Sequence, residues 1–455
     1  MEKFLVESGG NYLKETSDFL DFIIEVFYNT LGDKIMAYFK RYIEKQIKEA
    51  LETSGVVVVA GPKFCGKTTT SELFAESKYS LDTKQKIEMV EANPEAILVG
   101  DCPRLIDEWQ NVPDLWNCAR SKIDHSENKF GQFIFTGSST PANKDNIYHS
   151  GAGRIVTVKM RPMSLYESNE SSGLVSLVDL FNEKKELFII NNNYSLLDTA
   201  FYICRGGWPL SLVTDRDKAL KITSNYCSTL FEFENSKNKK FRNKKPLIFN
   251  MILRSYARNI STEARKSILI DDICKHDDRK IDEDTFDEYL EALNDLYIIK
   301  DVEAWNPNFR SKTVIITSPT RHFVDTSIAA YSLRMSPNDL LNDPNTFGLL
   351  FEDFVVKELS IYADTLGGEI RHFRDGNGLE CDAVIRLTNG KYGLVEIKLG
   401  GEQLINEGIS NLKTIENKIL ENNQVKPSFK MIVTACGDAQ IKDGIYIVPI
   451  NMLKA

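Results

Sequence analysis

Apolar positions recur along the chain with two different periods, and the switches between them mark its elements. From Thr16 to about Thr53 they fall three and four apart, at Phe19, Phe22, Ile23, Val26 and Phe27 and then at Met36, Phe39, Tyr42 and Ile43. That spacing predicts helices with one buried stripe, and Gly32 divides the run in two. Val56 to Val59 form an unbroken β-branched run, which predicts a parallel strand covered on both faces. Further strands are expected to end at Arg104-Leu-Ile-Asp-Glu-Trp-Gln110 and at Gln132-Phe-Ile-Phe-Thr-Gly-Ser-Ser139. From residue 166 the pattern is helical with polar connections, passing through Arg205-Gly-Gly-Trp-Pro-Leu210. Ile248 to Trp305 reads as three helices and a strand, with core positions Ile268, Ile270, Ile273, Phe286, Tyr289, Leu290, Leu293, Leu296 and Ile298. Beyond a helical run at Leu350–Glu358, the period changes to two over Glu380–Leu387 and Lys391–Lys398, around Thr388-Asn-Gly390.

A chain of 455 residues exceeds one ordinary core, so two to four domains are expected. Hydrophobic residues make up 42% and charged residues 27%, the balance of a soluble globular protein. The formal charge of −9 is not that of a protein coated for nucleic acid, so any such surface must be local. The eight cysteines are scattered, with no C-x-x-C pair, which fits buried thiols in a reducing cytoplasm better than a zinc site. The most apolar stretch, Phe19 to Phe27, is broken by Asp21 and Glu25, so no membrane span is expected.

Chemistry concentrates first after the valine strand. Gly61, the spacers Pro62, Lys63, Phe64 and Cys65, then Gly66, Lys67 and Thr68 fit a loop whose glycines let backbone N–H groups surround a polyphosphate. Lys67 would reach the β- and γ-phosphates, Thr68 would hold Mg²⁺, and the helix opening through Thr69 would point its positive end at the anion. The expected ligand is ATP or GTP. About forty residues on, Asp107 is expected to hold Mg²⁺ and Glu108 to orient the attacking water. If the next strand lies beside that of Asp107, the tip Thr136 to Ser139, Ser138 included, would reach the γ-phosphate. Arg154, on a Gly-rich turn, is a candidate arginine finger that could act across a subunit interface.

The order of these parts resembles a family. Arg41-Tyr-Ile-Glu, the phosphate loop, Leu-Ile-Asp-Glu, Phe-Thr-Gly-Ser-Ser, Gly-Arg154 and Arg161-Pro-Met-Ser-Leu-Tyr-Glu167 look like the prokaryotic AAA-type ATPases that carry a C-terminal restriction-endonuclease-like domain. The resemblance spans roughly residues 38 to 455. It implies ATP and Mg²⁺ as cofactors, a homo-oligomer, a helical lid after Arg205-Gly-Gly-Trp-Pro, and a winged-helix-like segment continuing through Phe323–Tyr331.

Lys237 to Lys245 hold six basic residues in nine, a cluster that could contact phosphates or simply be solvated. The third helix of the winged-helix-like segment carries Asp282, Glu283, Asp284, Asp287, Glu288, Glu291 and Asp295. Such charge repels a phosphate backbone, so this helix is expected to pack domains together rather than to read DNA.

On a strand of period two, Glu396 and Lys398 share one face. A three-residue Thr-Asn-Gly loop with Gly390 at positive φ pairs Leu387 with Lys391 and therefore brings Asp382 beside Glu396; a two-residue turn would send Asp382 to the other face. Paired carboxylates bind a hard cation such as Mg²⁺, which activates water, and the Lys398 ammonium would stabilise developing charge. The set looks like the PD-(D/E)XK nuclease motif, with Leu350–Glu358 matching its acid-bearing first helix. Glu352 is the residue the resemblance carries over, with Asp353 as its rival, and Gln403 resembles a further family position.

The expected architecture is α/β: an N-terminal helical extension (1–35), a P-loop parallel-sheet ATPase domain (36–165), a helical lid (166–245), a winged-helix-like domain (246–335) and an α/β restriction-endonuclease-like domain (336–455). The expected activity is ATP hydrolysis that controls a Mg²⁺-dependent DNA nuclease, in the cytoplasm and away from membranes. In the alternative, the chain is a nucleotide-driven switch whose nuclease-like domain binds a protein or nucleic-acid partner without cleaving.

Overall fold

The structure is a computed structural model that describes residues 38–139, 151–183, 192–237, 244–277, 279–305, 318–422 and 424–455, and the side chains of 232–237 are outside that description. The extension at 1–35 and most of the basic cluster at 237–245 therefore lie outside the described residues. Lys40–Ala455 form one compact unit.

Helix α1 (Ile43–Thr53) delivers the chain to β1 (Val56–Ala60), all five of whose residues are buried. There follow α2 (Lys67–Glu72), β2 (Ser77–Ser80), α3 (Lys84–Ala92), β3 (Arg104–Asp107), α4 (Leu115–His125), β4 (Phe133–Gly137) and β5 (Ile155–Lys159). The strands form a parallel sheet in the order β2-β3-β4-β1-β5, with β1 between β4 and β5. β1 is apolar throughout because both faces are covered: Val56 and Val58 pack with Leu115, Phe133 and Phe135 in one cluster, Val57 and Val59 with Ile43, Ile47 and Leu105 in another.

After β6 (Val175–Ser176) come α5 (Leu177–Phe181), α6 (Leu196–Arg205), α7 (Pro209–Leu212) and α8 (Arg216–Lys237), then α9 (Pro246–Arg258), α10 (Lys266–His276) and α11 (Glu283–Asp295). Antiparallel bridges Ile299↔Phe323 and Val302↔Thr320 follow. Eight of the nine expected core positions are buried or pack against the core, Ile270 and Leu290 only in part, and Leu269 and Ile273 form the inner stripe of α10. Ile268 is instead exposed, because its neighbour Leu269 takes the inward position on this turn of helix. The acidic face of α11 is tied down: Asp287 pairs with Lys266 at 2.5 Å and Glu288 with Lys244 at 2.8 Å.

The remainder is α12 (Thr326–Leu333), α13 (Pro337–Asn342), α14 (Pro344–Thr365), β7 (Gly368–Arg374), β8 (Glu380–Leu387), β9 (Tyr392–Lys398), α15 (Glu402–Glu421), β10 (Phe429–Thr434), β11 (Gln440–Lys442), β12 (Ile445–Pro449) and β13 (Leu453–Lys454). A six-stranded mixed sheet runs β11-β12-β10-β9-β8-β7, parallel from β9 through β10 to β12. One buried core extends from Leu165 to Leu453, and β13 pairs with β6, so the C-terminal sheet is joined to the segment that leaves the first sheet.

Burial, followed by the neighbouring His322, pushes the His372 imidazole of β7 down to about 4. Between pH 6.5 and 4 the unfolded chain takes up a proton that the folded chain refuses, so stability falls as the pH drops through that window. His372→Gln is expected to flatten the loss by roughly 2 kcal/mol between pH 6.5 and 5. Denaturant midpoints of parent and variant at the two pH values test this, and parallel shifts would assign the acid sensitivity elsewhere.

Candidate functional site

Two chemically loaded sites stand in this frame. The first lies at the C-terminal ends of β1, β3 and β4, whose aligned register places Val59 opposite Thr136 and Thr136 opposite Asp107. A Cβ on Gly61 would stand 2.1 Å from the Met160 carbonyl oxygen, so only glycine lets the loop leave β1 here. Gly66 enters α2 at φ +98, and Phe64 at the loop tip is also left-handed, with its exposed ring 5.5 Å from that of Tyr226 on α8. Lys63 is half-buried, Thr69 is exposed on the first turn of α2, and Lys67 is buried with its ammonium donating to the Pro62 carbonyl at 2.8 Å.

Thr68 donates to Asp107 at 2.8 Å, and Thr136 donates to the same carboxylate oxygen. A hydroxyl and a carboxylate so placed suit a hard cation beside the phosphates: Thr68 and Asp107 would hold Mg²⁺, which neutralises phosphate charge when bound. Because β4 lies between β3 and β1, its tip reaches this centre. The Ser138 hydroxyl donates to Glu108 at 3.1 Å, so its partner here is the carboxylate, where the sequence had suggested the γ-phosphate.

Arg154, the candidate finger across a subunit interface, lies away from the loop of its own chain. It precedes Ile155, which pairs with Val56, so it sits at the opposite edge of the sheet, roughly 15 Å of strand away from the loop. There its guanidinium pairs with Asp124 at 2.7 Å.

Arg41 carries a role that residue patterns alone do not reveal. Its buried guanidinium lies under the phosphate loop and donates to the carbonyls of Cys65 at 2.8 Å and Arg161 at 2.7 Å, and to Glu167 at 3.2 Å. Arg41→Ala would leave the buried Glu167 carboxylate unpaired and the loop unsupported, at a cost of about 3 kcal/mol or more. Thermal unfolding and nucleotide titration should show both stability and affinity falling, with Arg41→Lys intermediate because an ammonium lacks the planar fork.

The second site is the β8–β9 hairpin. Leu387 N–H donates to the Lys391 carbonyl, Gly390 has φ +86, and Ala383 pairs with Val395, which sets Asp382 opposite Glu396. This is the register of the three-residue loop. The Lys398 ammonium lies 2.8 Å from Glu396 and 3.4 Å from Asp382. Asp382 also accepts from the Ile397 N–H at 2.7 Å, and Glu396 from Asn411 of α15 at 2.7 Å. Gly408 brings α15 close: a Cβ there would be 3.7 Å from that of Glu396 and 3.1 Å from the Ile432 side chain.

Helix α14 decides between its two acids. Asp353 is buried and committed to the Phe323 N–H, the Thr326 hydroxyl and His322, a joint between helices. Glu352 faces the hairpin, where burial, and then Asp382, push its carboxyl well above the usual range. Burial and Asp382 likewise push Glu396 up to about 8, while burial opposes the Lys398 charge and the two carboxylates outweigh it. Among the described residues no three His, Cys, Asp or Glu side chains are set as a ready metal cage. The donor set nonetheless fits a divalent cation, because carboxylates crowded together are what such an ion relieves; Asp382 and Glu396 would hold it. Gln403 is exposed on α15 and donates to Glu407 at 3.0 Å.

The two sites are joined through residues 161–167. Glu167, which holds Arg41, also accepts from Ser164 N–H at 2.8 Å, and Leu165 N–H donates to Glu358 of α14 at 2.8 Å. Buried Lys357 pairs with Glu358 at 3.0 Å and with Asp325 at 3.6 Å, and Asp325 accepts from the Gly207 N–H at 2.9 Å. A Lys-Glu pair inside an apolar helical run was the sequence signal for this joint. Asn411 had no comparable signal.

Comparisons with known proteins match three segments. Residues 53–169 match the AAA domain model, 197–339 a domain of unknown function (DUF8612), and 347–453 another domain of unknown function (DUF4143). Uncharacterized proteins of Mycobacterium bovis and Mycobacterium tuberculosis are each 23% identical over 364 residues, covering 79% of this chain and 74% of theirs. The Walker-type ATPase PABY2304 of Pyrococcus abyssi aligns over 68% of this chain and all of its own, at 18% identity and a TM-score of 0.42. The match to the AAA domain model makes residues 53–169 P-loop ATPase-like. Among the described residues no helix is long and apolar enough to cross a membrane.

Proposed function

We propose that this chain is an ATP-hydrolysing protein whose nucleotide state controls a Mg²⁺-dependent DNA nuclease centre in its C-terminal domain. In the first site a water held by Glu108 attacks the γ-phosphorus, the bond to the β–γ bridging oxygen breaks, and the water's proton passes to the carboxylate. Thr68 and Asp107 would hold Mg²⁺, which neutralises phosphate charge, and Lys67 would contact the phosphates. Arg154 could serve only a neighbouring subunit, which fits the oligomer that the family resemblance implies.

The observation that carries the nuclease half is the convergence of Glu352 of α14 with Asp382, Glu396 and Lys398 on one face of the hairpin, with the Lys398 ammonium within 3.4 Å of both hairpin carboxylates. The order of α14, three antiparallel strands, α15 and a parallel strand supports the same reading. A bound divalent ion would supply Lewis acidity and an acidified water. DNA is preferred to RNA on the resemblance alone. Control by nucleotide is supported by the joint at 161–167: Arg41 grips the phosphate loop, Glu358 grips the same segment, and Glu352 lies six residues back on Glu358's helix, about 9 Å along it.

The alternative, a switch that binds without cleaving, is favoured by one observation: Lys398 already bridges both carboxylates, so the chain itself offsets part of their charge. A cleavage panel separates the two. Single- and double-stranded DNA and RNA are incubated with Mg²⁺ or Mn²⁺, with and without ATP. DNA cutting that responds to ATP supports the nuclease; intact ATPase with no cutting under any condition supports the switch.

A further inference from the structure

Two residues after Glu108 stands a side chain that the reading of the nucleotide site has not used. Gln110 donates through its amide N–H to Glu108 Oε2, the same oxygen that accepts from Ser138. The other oxygen, Oε1, accepts no hydrogen bond from any described residue. One oxygen is thus held by two donors from different strands' ends, and the other is left for a water.

The turn that presents this arrangement is fixed. Glu108 is left-handed at φ 58 and ψ 41, Trp109 is buried against Phe135 and Trp116, and Asn111 donates to the Leu81 carbonyl at 2.9 Å. Gln110 Oε1 is buried with no partner, and a Cβ on Gly137 would lie 2.9 Å from it. An amide kept in a pose that leaves its acceptor unsatisfied is held there by its donor side, which is the bond to Glu108. Packing alone would be met by an apolar residue of the same shape.

We propose that Gln110 is a positioning residue for hydrolysis: with Ser138 it clamps Glu108 Oε2 and so aims Oε1 at the attacking water. The inference rests on Glu108 as the water-orienting group. It assigns Ser138 to the carboxylate, where it had been expected to report the γ-phosphate.

The test compares Gln110→Met, which fills the same space without the donor, Ser138→Ala and Glu108→Gln, measuring steady-state ATP hydrolysis and the Kd of a non-hydrolysable ATP analogue in the full chain. Gln110→Met is expected to lower kcat on the order of 10- to 100-fold with KM and Kd unchanged, because a carboxylate misplaced by about 1 Å loses that much. Ser138→Ala should lower kcat in the same way, and it carries the test should Gln110→Met not fold. Unaltered kcat in folded Gln110→Met or Ser138→Ala, with Glu108→Gln inactive, overturns the clamp while leaving Glu108 in its role. Full activity in Glu108→Gln would instead remove the reading on which the clamp rests.

Discussion

Lys67→Ala is expected to abolish ATP hydrolysis, by at least about 100-fold in kcat/KM, while the chain remains folded. The loss should be large because Lys67, at the start of α2, would place its charge on the β- and γ-phosphates, and a backbone cradle without it stabilises little developing charge. Folding should survive because the ammonium makes a single hydrogen bond, to the buried Pro62 carbonyl, whose loss costs about 1–3 kcal/mol. Comparing hydrolysis with thermal unfolding checks both halves. Activity in the variant would move the nucleotide chemistry away from residues 61–68.

The second large effect is expected at the hairpin. Lys398→Ala should abolish any divalent-dependent DNA cleavage, again by about 100-fold or more, and should do so while leaving hydrolysis of ATP unchanged. Removing the ammonium also strips Glu396 and Asp382 of their charge partner, and added metal does not replace it in stabilising developing charge. Asp382→Asn should separate the contributions: it loses a metal ligand but keeps the Ile397 N–H acceptor and lessens the crowding on Glu396. Cleavage assayed against Mn²⁺ concentration distinguishes them, since higher metal should rescue Asp382→Asn in part and Lys398→Ala little. Cleavage that persists in both variants would place any nuclease centre elsewhere; in the switch reading, partner binding survives both.

Much of both sites was legible in short-range pattern. Four valines before Gly61 fix the strand and the loop together, and they do so because a strand covered on both faces must be apolar throughout. The Thr-Asn-Gly loop fixed the register of β8 and β9 because a hairpin's pairing is set by its turn, and the two-residue side-chain period then places Asp382 beside Glu396. These are local rules, so a local string suffices.

What lay beyond the sequence depends on which parts of the chain meet. Nothing near Arg41 says that its guanidinium ends under Cys65, since that contact needs α1, β5 and residues 161–167 packed together. Glu352 and Asp353 are adjacent acids on one helix, and only the packing of α14, with the hairpin on one side and His322 and Thr326 on the other, assigns them different work. Arg154 stands at the end of the sheet opposite its own loop, a matter of strand direction that no local motif records. The sequence by itself determined the loop, the carboxylate pair at the end of β3 and the face shared by Asp382, Glu396 and Lys398, because turns and periodicities act over a few residues. The tertiary structure alone decided which oxygen Ser138 and Gln110 hold, which acid of α14 faces the hairpin and how Glu358 ties that helix to the phosphate loop, because burial and long-range hydrogen bonds exist only once the elements have packed.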